Sequence, residues 1–225
     1  MKSRAFRLLW FAFGIVLNSF GIALITKAAL GTSPISSVPL VLSDRFPLTF
    51  GQFTFVMNTL FILAQALLLR KDFHPVQLLQ MLVNVVFSAG IDVSMGFLSW
   101  LQPAGDPLVE GVALVVGCST LALGISIEVA SDTLLVPGEG AVKAISQTLG
   151  IRFGTVKVAF DLSLVCLAAC LSFFFSMPFD GLGLGTVVSA LVVGRIVNVF
   201  NAKLPLVSYI QGLKNPAAPA GRATA

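Results

Sequence analysis

Six apolar runs of about 20 residues each, divided by short polar breaks, dominate this sequence: roughly 8–28, 50–69, 76–100, 109–129, 153–175 and 182–200. About 20 residues wound as an α-helix reach across the roughly 30 Å of a bilayer's hydrocarbon core. No water is available there to bond a bare amide, so each run must satisfy its own backbone as a helix. The rest of the chain offers no other solution. Of its 225 residues, 56 % are hydrophobic and only 11 % are charged, whereas a water-facing domain carries about 25 % charged residues. The sequence is therefore read as an all-α membrane protein with six transmembrane helices. Its net charge of +4 suits anionic lipid and orientation signals, and gives no basis for a nucleic-acid partner.

Two further apolar stretches are too short to cross. Ala29-Leu30-Gly31-Thr32-Ser33-Pro34 opens a run ending near residue 42, and Thr133 to Glu139 opens one ending near residue 149. A helix over 34–42 would cover about 14 Å. Laid on the first half with a shift of 103, the separation of Pro34 and Pro137, the second half matches it in its helix breakers. Gly14 meets Gly117, Gly21 meets Gly124, Ser43 meets Ser146, and Phe50-Gly51 meets Phe153-Gly154, while Asn58 falls on Asp161. The expected organisation is two three-helix repeats, over 1–101 and 108–201, each with a short broken or re-entrant helix, at 31–44 and 134–149. Three spans per repeat is an odd number, so the second repeat would be inverted relative to the first. Short Gly/Pro-interrupted segments at matching positions of inverted repeats point to a central binding site. The alternative is two amphipathic helices lying on the two surfaces. The Ala/Pro-rich tail, 212–225, is expected to be disordered.

Basic residues set the orientation. Lys2, Arg4 and Arg7 precede the first run, Arg70 and Lys71 lie between the second and third, and Lys143 and Arg152 lie between the fourth and fifth. Lys203 and Lys214 follow the sixth, and only Lys27 and Arg45 dissent. Both termini are thus expected in the cytoplasm. The first run exceeds the 7–15 apolar residues usual for a signal peptide, so it is kept as a span.

Charges inside apolar runs are the next signal, because each costs about 2.5–3.5 kcal/mol or more near mid-bilayer. Asp92, Lys157, Asp161 and Arg195 are such residues, with Glu128 and Asp132 closing the fourth run and Glu139 and Lys143 in the second broken stretch. Lys157 and Asp161 are four apart and meet on one helical face, either as a structural pair or in a solute or proton role. Arg195 could snorkel to lipid phosphate. Asp92 has no local partner, which points to a role inside the bundle with a cation from another span. The start of the first broken helix is either N-capped by Ser33 or left for a ligand. Thr54, Asn58 and Gln65 share a face that Gln77, Gln80 and Asn84 could answer as helix–helix glue. The candidate solute site is placed at Gly31, Thr32, Ser33, Pro34, Pro137, Gly138 and Glu139, flanked by Asn58, Asp92, Lys157 and Asp161. Asp161, Glu139 or Asp92 would serve proton coupling.

Other chemistries find no support. Cys118, Cys166 and Cys170 all lie in apolar runs and read as small packing residues, although Cys166 and Cys170 share a face that could hold a soft metal. No zinc-protease motif, phosphate loop or nucleophile elbow occurs, so neither an enzyme nor a cofactor is expected.

Gly-Thr-Ser-Pro at 31–34, Leu-Thr-Phe-Gly-Gln at 48–52, the helix holding Asn58, Gly90-Ile91-Asp92, Gly185-Thr186 and Val193-Gly194-Arg195-Ile196 resemble the YczE/YyaS/YitT group of small bacterial membrane proteins. The resemblance covers most of the chain. It implies a multi-span protein of the bacterial inner (cell) membrane, and the association of some relatives with export of natural products points toward export. The second broken stretch departs from a Gly-Thr-Ser-Pro copy, which makes the halves functionally unequal. Together these readings give a secondary transporter or exporter of a small polar or amphipathic solute. The alternatives are an accessory protein that anchors a partner, which predicts no cavity, and a passive channel, which predicts a continuous polar path. The partners expected are the solute and membrane lipid, with a homodimer left open.

Overall fold

The computed structural model describes residues 2–102, 105–175 and 182–213. The turn expected at 176–181 and most of the expected disordered tail lie outside them. The described residues form α1 (Lys2–Lys27), α2 (Ser37–Arg45), α3 (Phe50–Leu69), α4 (Gln80–Phe97), α5 (Pro107–Ser131), α6 (Pro137–Leu149), α7 (Phe153–Phe174), α8 (Leu184–Lys203) and α9 (Pro205–Gly212). No strand occurs among them. Among the described residues six helices are long and apolar enough to cross a membrane: α1, α3 with the 3₁₀ turn after it, α4 with the 3₁₀ helix before it, α5, α7 and α8.

Local chemistry explains the boundaries. Thr49 caps α3 in a reciprocal box, accepting from the Gln52 N–H at 3.1 Å while its own N–H donates to Gln52 Oε1 at 2.9 Å. Asp106 caps α5 through Oδ1, which accepts from Leu108 N at 2.9 Å, with Pro107 in the first turn. That position costs proline nothing, since its missing N–H would have no helical partner. α1 and α5 each give way to a left-handed residue, Ala29 at φ 60° and Asp132 at φ 46°. Aspartate tolerates that conformation; alanine pays a steric cost of about 1 kcal/mol or more.

The core is the crossing of α1 with α5. In each, 56 % of the most apolar stretch is buried, against 22 % in α3 and α7 and 17 % in α8. Glycines let the two backbones touch. A Cβ built at Gly21 would lie 2.5 Å from Leu121 N, and one at Gly124 would lie 2.6 Å from Asn18 N. The second contact is the first with its residues exchanged across a 103-residue offset. Gly14 against Glu128 N (3.1 Å) and Gly117 against Ile25 N (2.9 Å) repeat the relation. So do the left-handed Ala29 and Asp132, and the helix-initiating Pro34 and Pro137. Partners run in opposite directions along the two helices, so α1 and α5 are antiparallel.

The short helices are interior elements. Ser37 to Val41 of α2 are all buried, as are Pro137, Gly138, Gly140, Ala141, Val142 and Ala144 of α6. α2 packs on α3 and α7, and α6 packs on α7 and α3. Val38, Val41, Phe61, Ala141, Leu164 and Ala168 close this second core. The starts of the two short helices meet directly, with Ile35 filling the space where Gly138 has no side chain.

α9 was not foreseen. It lies against the first turns of α1 and the last turns of α5, burying Val207 and Ile210 with Ile127 and Ala130 beside Trp10 and Leu17.

A cavity at one end of the bundle and a seal at the other

The polar side chains of α3 and α4 join the two helices. Asn58 Nδ2 donates to Asn84 Oδ1 at 2.9 Å, and Asn84 Nδ2 donates to the Phe55 carbonyl at 2.9 Å. Gln65 and Gln80 exchange bonds of 3.1 and 3.2 Å. Gln65 also donates to the Pro137 carbonyl at 3.0 Å, which ties the start of α6 to α3. At the other end of the same interface, Asp92 accepts from Gly51 N at 2.7 Å and from the Thr49 hydroxyl at 2.5 Å. The partner that Asp92 finds is therefore the N-terminus of α3 rather than a side-chain cation. The helix macrodipole places partial positive charge there.

α7 and α8 do not repeat this packing. Gly51 is pressed against Ser88 and Asp92, whereas Gly154, its equivalent 103 residues on, faces open space. Lys157 and Asp161 pair within α7 at 2.7 Å.

A cavity of about 470 Å³ opens at the end of the bundle where α3 ends and α4 begins. Its inner wall holds the buried Gln65, Gln80, Glu128 and Gly140, and Thr133, Leu134 and Leu135 form one side. Asp72, His74, Asp132, Lys143 and Gln147 stand toward its mouth. Glu128 is 1 % exposed. Its Oε2 accepts from Asn18 at 3.2 Å and its Oε1 from the Val136 N–H at 3.2 Å. Both donors are neutral, and no ion pair to Glu128 forms among the described residues.

The 103-residue offset carries this cavity to the opposite end of the bundle. Thr133, Leu134, Leu135 and Gln80 there become Leu30, Gly31, Thr32 and Gly183. No space remains between those four. Gly185 N donates to the Leu30 carbonyl at 2.7 Å, Thr32 N donates to Thr186 Oγ1 at 3.1 Å, and Ser189 Oγ donates to the Thr32 carbonyl at 3.3 Å. A Cβ at Gly31, Gly183 or Gly185 would collide with the facing segment. Side-chain size explains part of the difference. Where the sealed end has Gly31, Gly183 and Gly185, the open end has Leu134, Gln80 and Leu82, which cannot approach as closely.

The residues assigned from the sequence to the candidate solute site fall into four places. Gly31 and Thr32 form the seal, and Ser33 and Pro34 follow it into α2. Pro137 and Gly138 lie at the contact between the two short helices. Asn58 and Asp92 serve the α3–α4 interface. Glu139, Lys157 and Asp161 form an electrostatic group across α6 and α7. None of them lines the cavity. Glu128, Gln65 and Gln80 do, and they were visible in the sequence only as a charge ending an apolar run and as polar helix–helix contacts. Their convergence depends on Asn18 and Pro137, which lie 110 and 72 residues away from Glu128 and Gln65 respectively.

Residues 5–202 match the family described as "Family of unknown function (DUF6198)". The chain is 25 % identical over 194 residues to "Uncharacterized protein YyaS" of Bacillus subtilis (strain 168), a stretch covering 85 % of this chain and 90 % of that relative. No solved structure matches it.

Proposed function

The chain belongs to the DUF6198 family, and we propose that this member is a secondary transporter that moves a small polar or amphipathic solute across the bacterial cell membrane by alternating access. The observation that carries this reading is the pairing of an open cavity with a sealed equivalent 103 residues away in register. Two inverted copies of one three-helix unit, each with a re-entrant helix, account for the antiparallel α1–α5 crossing and the matching left-handed breaks. In such a protein the two ends open in turn. The distribution of basic residues supports a cytoplasmic open end, which makes the proposed arrangement inward-facing. Gly31 to Pro34 act as the moving seal and Leu134 to Pro137 as its counterpart, and Gly138 and Glu139 follow in α6 with Lys157 and Asp161 beside Glu139. An accessory role gives no reason for a cavity of about 470 Å³ reaching a buried carboxylate. A channel would need a path through the sealed end.

The test is two-sided cysteine accessibility in vesicles, with Cys118, Cys166 and Cys170 replaced. Leu134→Cys should react with a membrane-impermeant maleimide from the cytoplasmic side. Thr186→Cys should react only from the opposite side, and less when Leu134→Cys reacts more. A disulfide between Thr32→Cys and Ser189→Cys should freeze that exchange. If Thr186→Cys stays shielded under every condition tested, alternating access is wrong.

A further inference from the structure

The cavity wall has a sign. Asp72, Glu128 and Asp132 line it against a single lysine, Lys143. The Asp132 charge is offset from outside by Arg7, whose guanidinium lies 3.8 Å away and donates to the Ser131 carbonyl at 2.7 Å. The excess still falls on the acid side. Glu128 is the informative member because it is buried with neutral donors alone. An ionised carboxylate in so dry a place is costly unless a cation or a proton joins it. A further acid makes the shortage worse. Glu139 is close enough for its charge to act on Glu128. The lysine that acts on Glu139, Lys157, is already committed to Asp161 at 2.7 Å.

The remaining wall describes the rest of the ligand. Gln65 and Gln80 offer amide groups at depth, while Leu69, Val129, Leu134 and Leu135 supply apolar surface. A bare metal ion would need several converging oxygens and no apolar wall. The volume falls within the range of pockets that hold small organic molecules. We propose that the cavity binds a small organic cation, a protonated amine on an apolar body, with its ammonium toward Glu128 and its body along the leucines. The binding itself does not depend on transport; that the bound amine is also the solute carried rests on the transport reading above.

Three probes of one shape separate charge from size: benzylammonium, benzyl alcohol and benzoate. Each is titrated into the purified full-length protein in detergent, and binding is read by calorimetry and by the shift in thermal unfolding. Benzylammonium should bind, benzoate should not, and benzyl alcohol should bind more weakly by about tenfold or more, the factor expected when about 1.4 kcal/mol of charge interaction is lost. Glu128→Gln should reduce the affinity for benzylammonium by about tenfold or more. Because removing a buried acid could disturb folding, Lys143→Gln at the exposed mouth supplies an independent arm. It removes the opposing charge and should tighten benzylammonium binding. Benzoate binding as well as benzylammonium does, or benzylammonium failing to bind, overturns the proposal, as does indifference to both substitutions. Retention of benzylammonium by protein that fails the accessibility test would remove the transport reading and leave the amine site standing. Alternating accessibility with no amine binding would do the reverse.

Discussion

The closest approach of the α1–α5 crossing, Gly21 to Leu121, sets up a quantitative test of that pairing. A Cβ at Gly21 would stand 2.5 Å from a backbone nitrogen, against the 3.4 Å at which ordinary contact begins. Gly21→Ala must therefore part α1 from α5 by about 0.9 Å, since neither backbone can rotate away. A gap of that size forfeits a quarter to a half of each dispersion contact along the crossing. Overpacking of this kind costs about 1–3 kcal/mol, less up to about 1 kcal/mol that alanine gains over glycine in helix propensity. Gly124→Ala, at 2.6 Å from Asn18 N, should lose a similar amount. The double variant should lose less than the sum, because one separation relieves both clashes. Gly111→Ala, with nothing within 4 Å, should be neutral or slightly stabilising. Reversible unfolding of the purified proteins in mixed micelles measures all four. If Gly21→Ala and Gly124→Ala are no more harmful than Gly111→Ala, or if their effects simply add, the reasoning about this crossing fails.

Other perturbations test other contacts. Asp92→Ala should destabilise the fold by about 1–2 kcal/mol by stripping the N-terminus of α3, and Asp92→Asn should recover part of that; thermal unfolding of the pair decides it. Lys157→Met should be worse than the double variant Lys157→Met/Asp161→Leu, because removing one partner leaves a charge in the bilayer whereas removing both leaves none. A double-mutant cycle on unfolding free energy reads the sign. Gln65→Leu should cost about 1–3 kcal/mol by leaving the Pro137 carbonyl and Gln80 unsatisfied. It should also raise the rate at which a probe cysteine at the buried Ala144 of α6 is labelled, and unchanged labelling would count against Gln65 as the tie between α3 and α6.

The long helices were legible because a bilayer leaves one choice for each apolar run. The breaks were legible because proline and glycine act locally: Pro34 and Pro137 begin their short segments where the sequence places them. Partners were not legible. Asp92 signalled an interior role, but nothing in its own run says that Thr49 and Gly51 would receive it. Glu128 signalled a cost, while Asn18, 110 residues earlier, could be identified only once α1 crossed α5. α9 escaped because the eight residues from Pro205 to Gly212 are too few to show a periodic face. The cavity was hidden for a different reason. It exists because two segments of matching register pack differently, and the choice between two packings is not written in either segment alone.

The one-sided zipper of amides between α3 and α4 carries a consequence for the energy of the whole. Two identical halves would be degenerate, equally content with either end ajar. Here three side-chain amide bonds, Asn58 to Asn84 and the Gln65–Gln80 exchange, fasten one half, and the equivalent positions in the other half are Asp161, Val187, Ala168 and Gly183. At about 0.5–1.5 kcal/mol each, such bonds tilt a two-state balance by about tenfold to a thousandfold. A duplicated framework would thereby acquire a preferred posture at rest, and under the transport reading proposed above a ligand that inverts it must favour the opposite posture by at least that much.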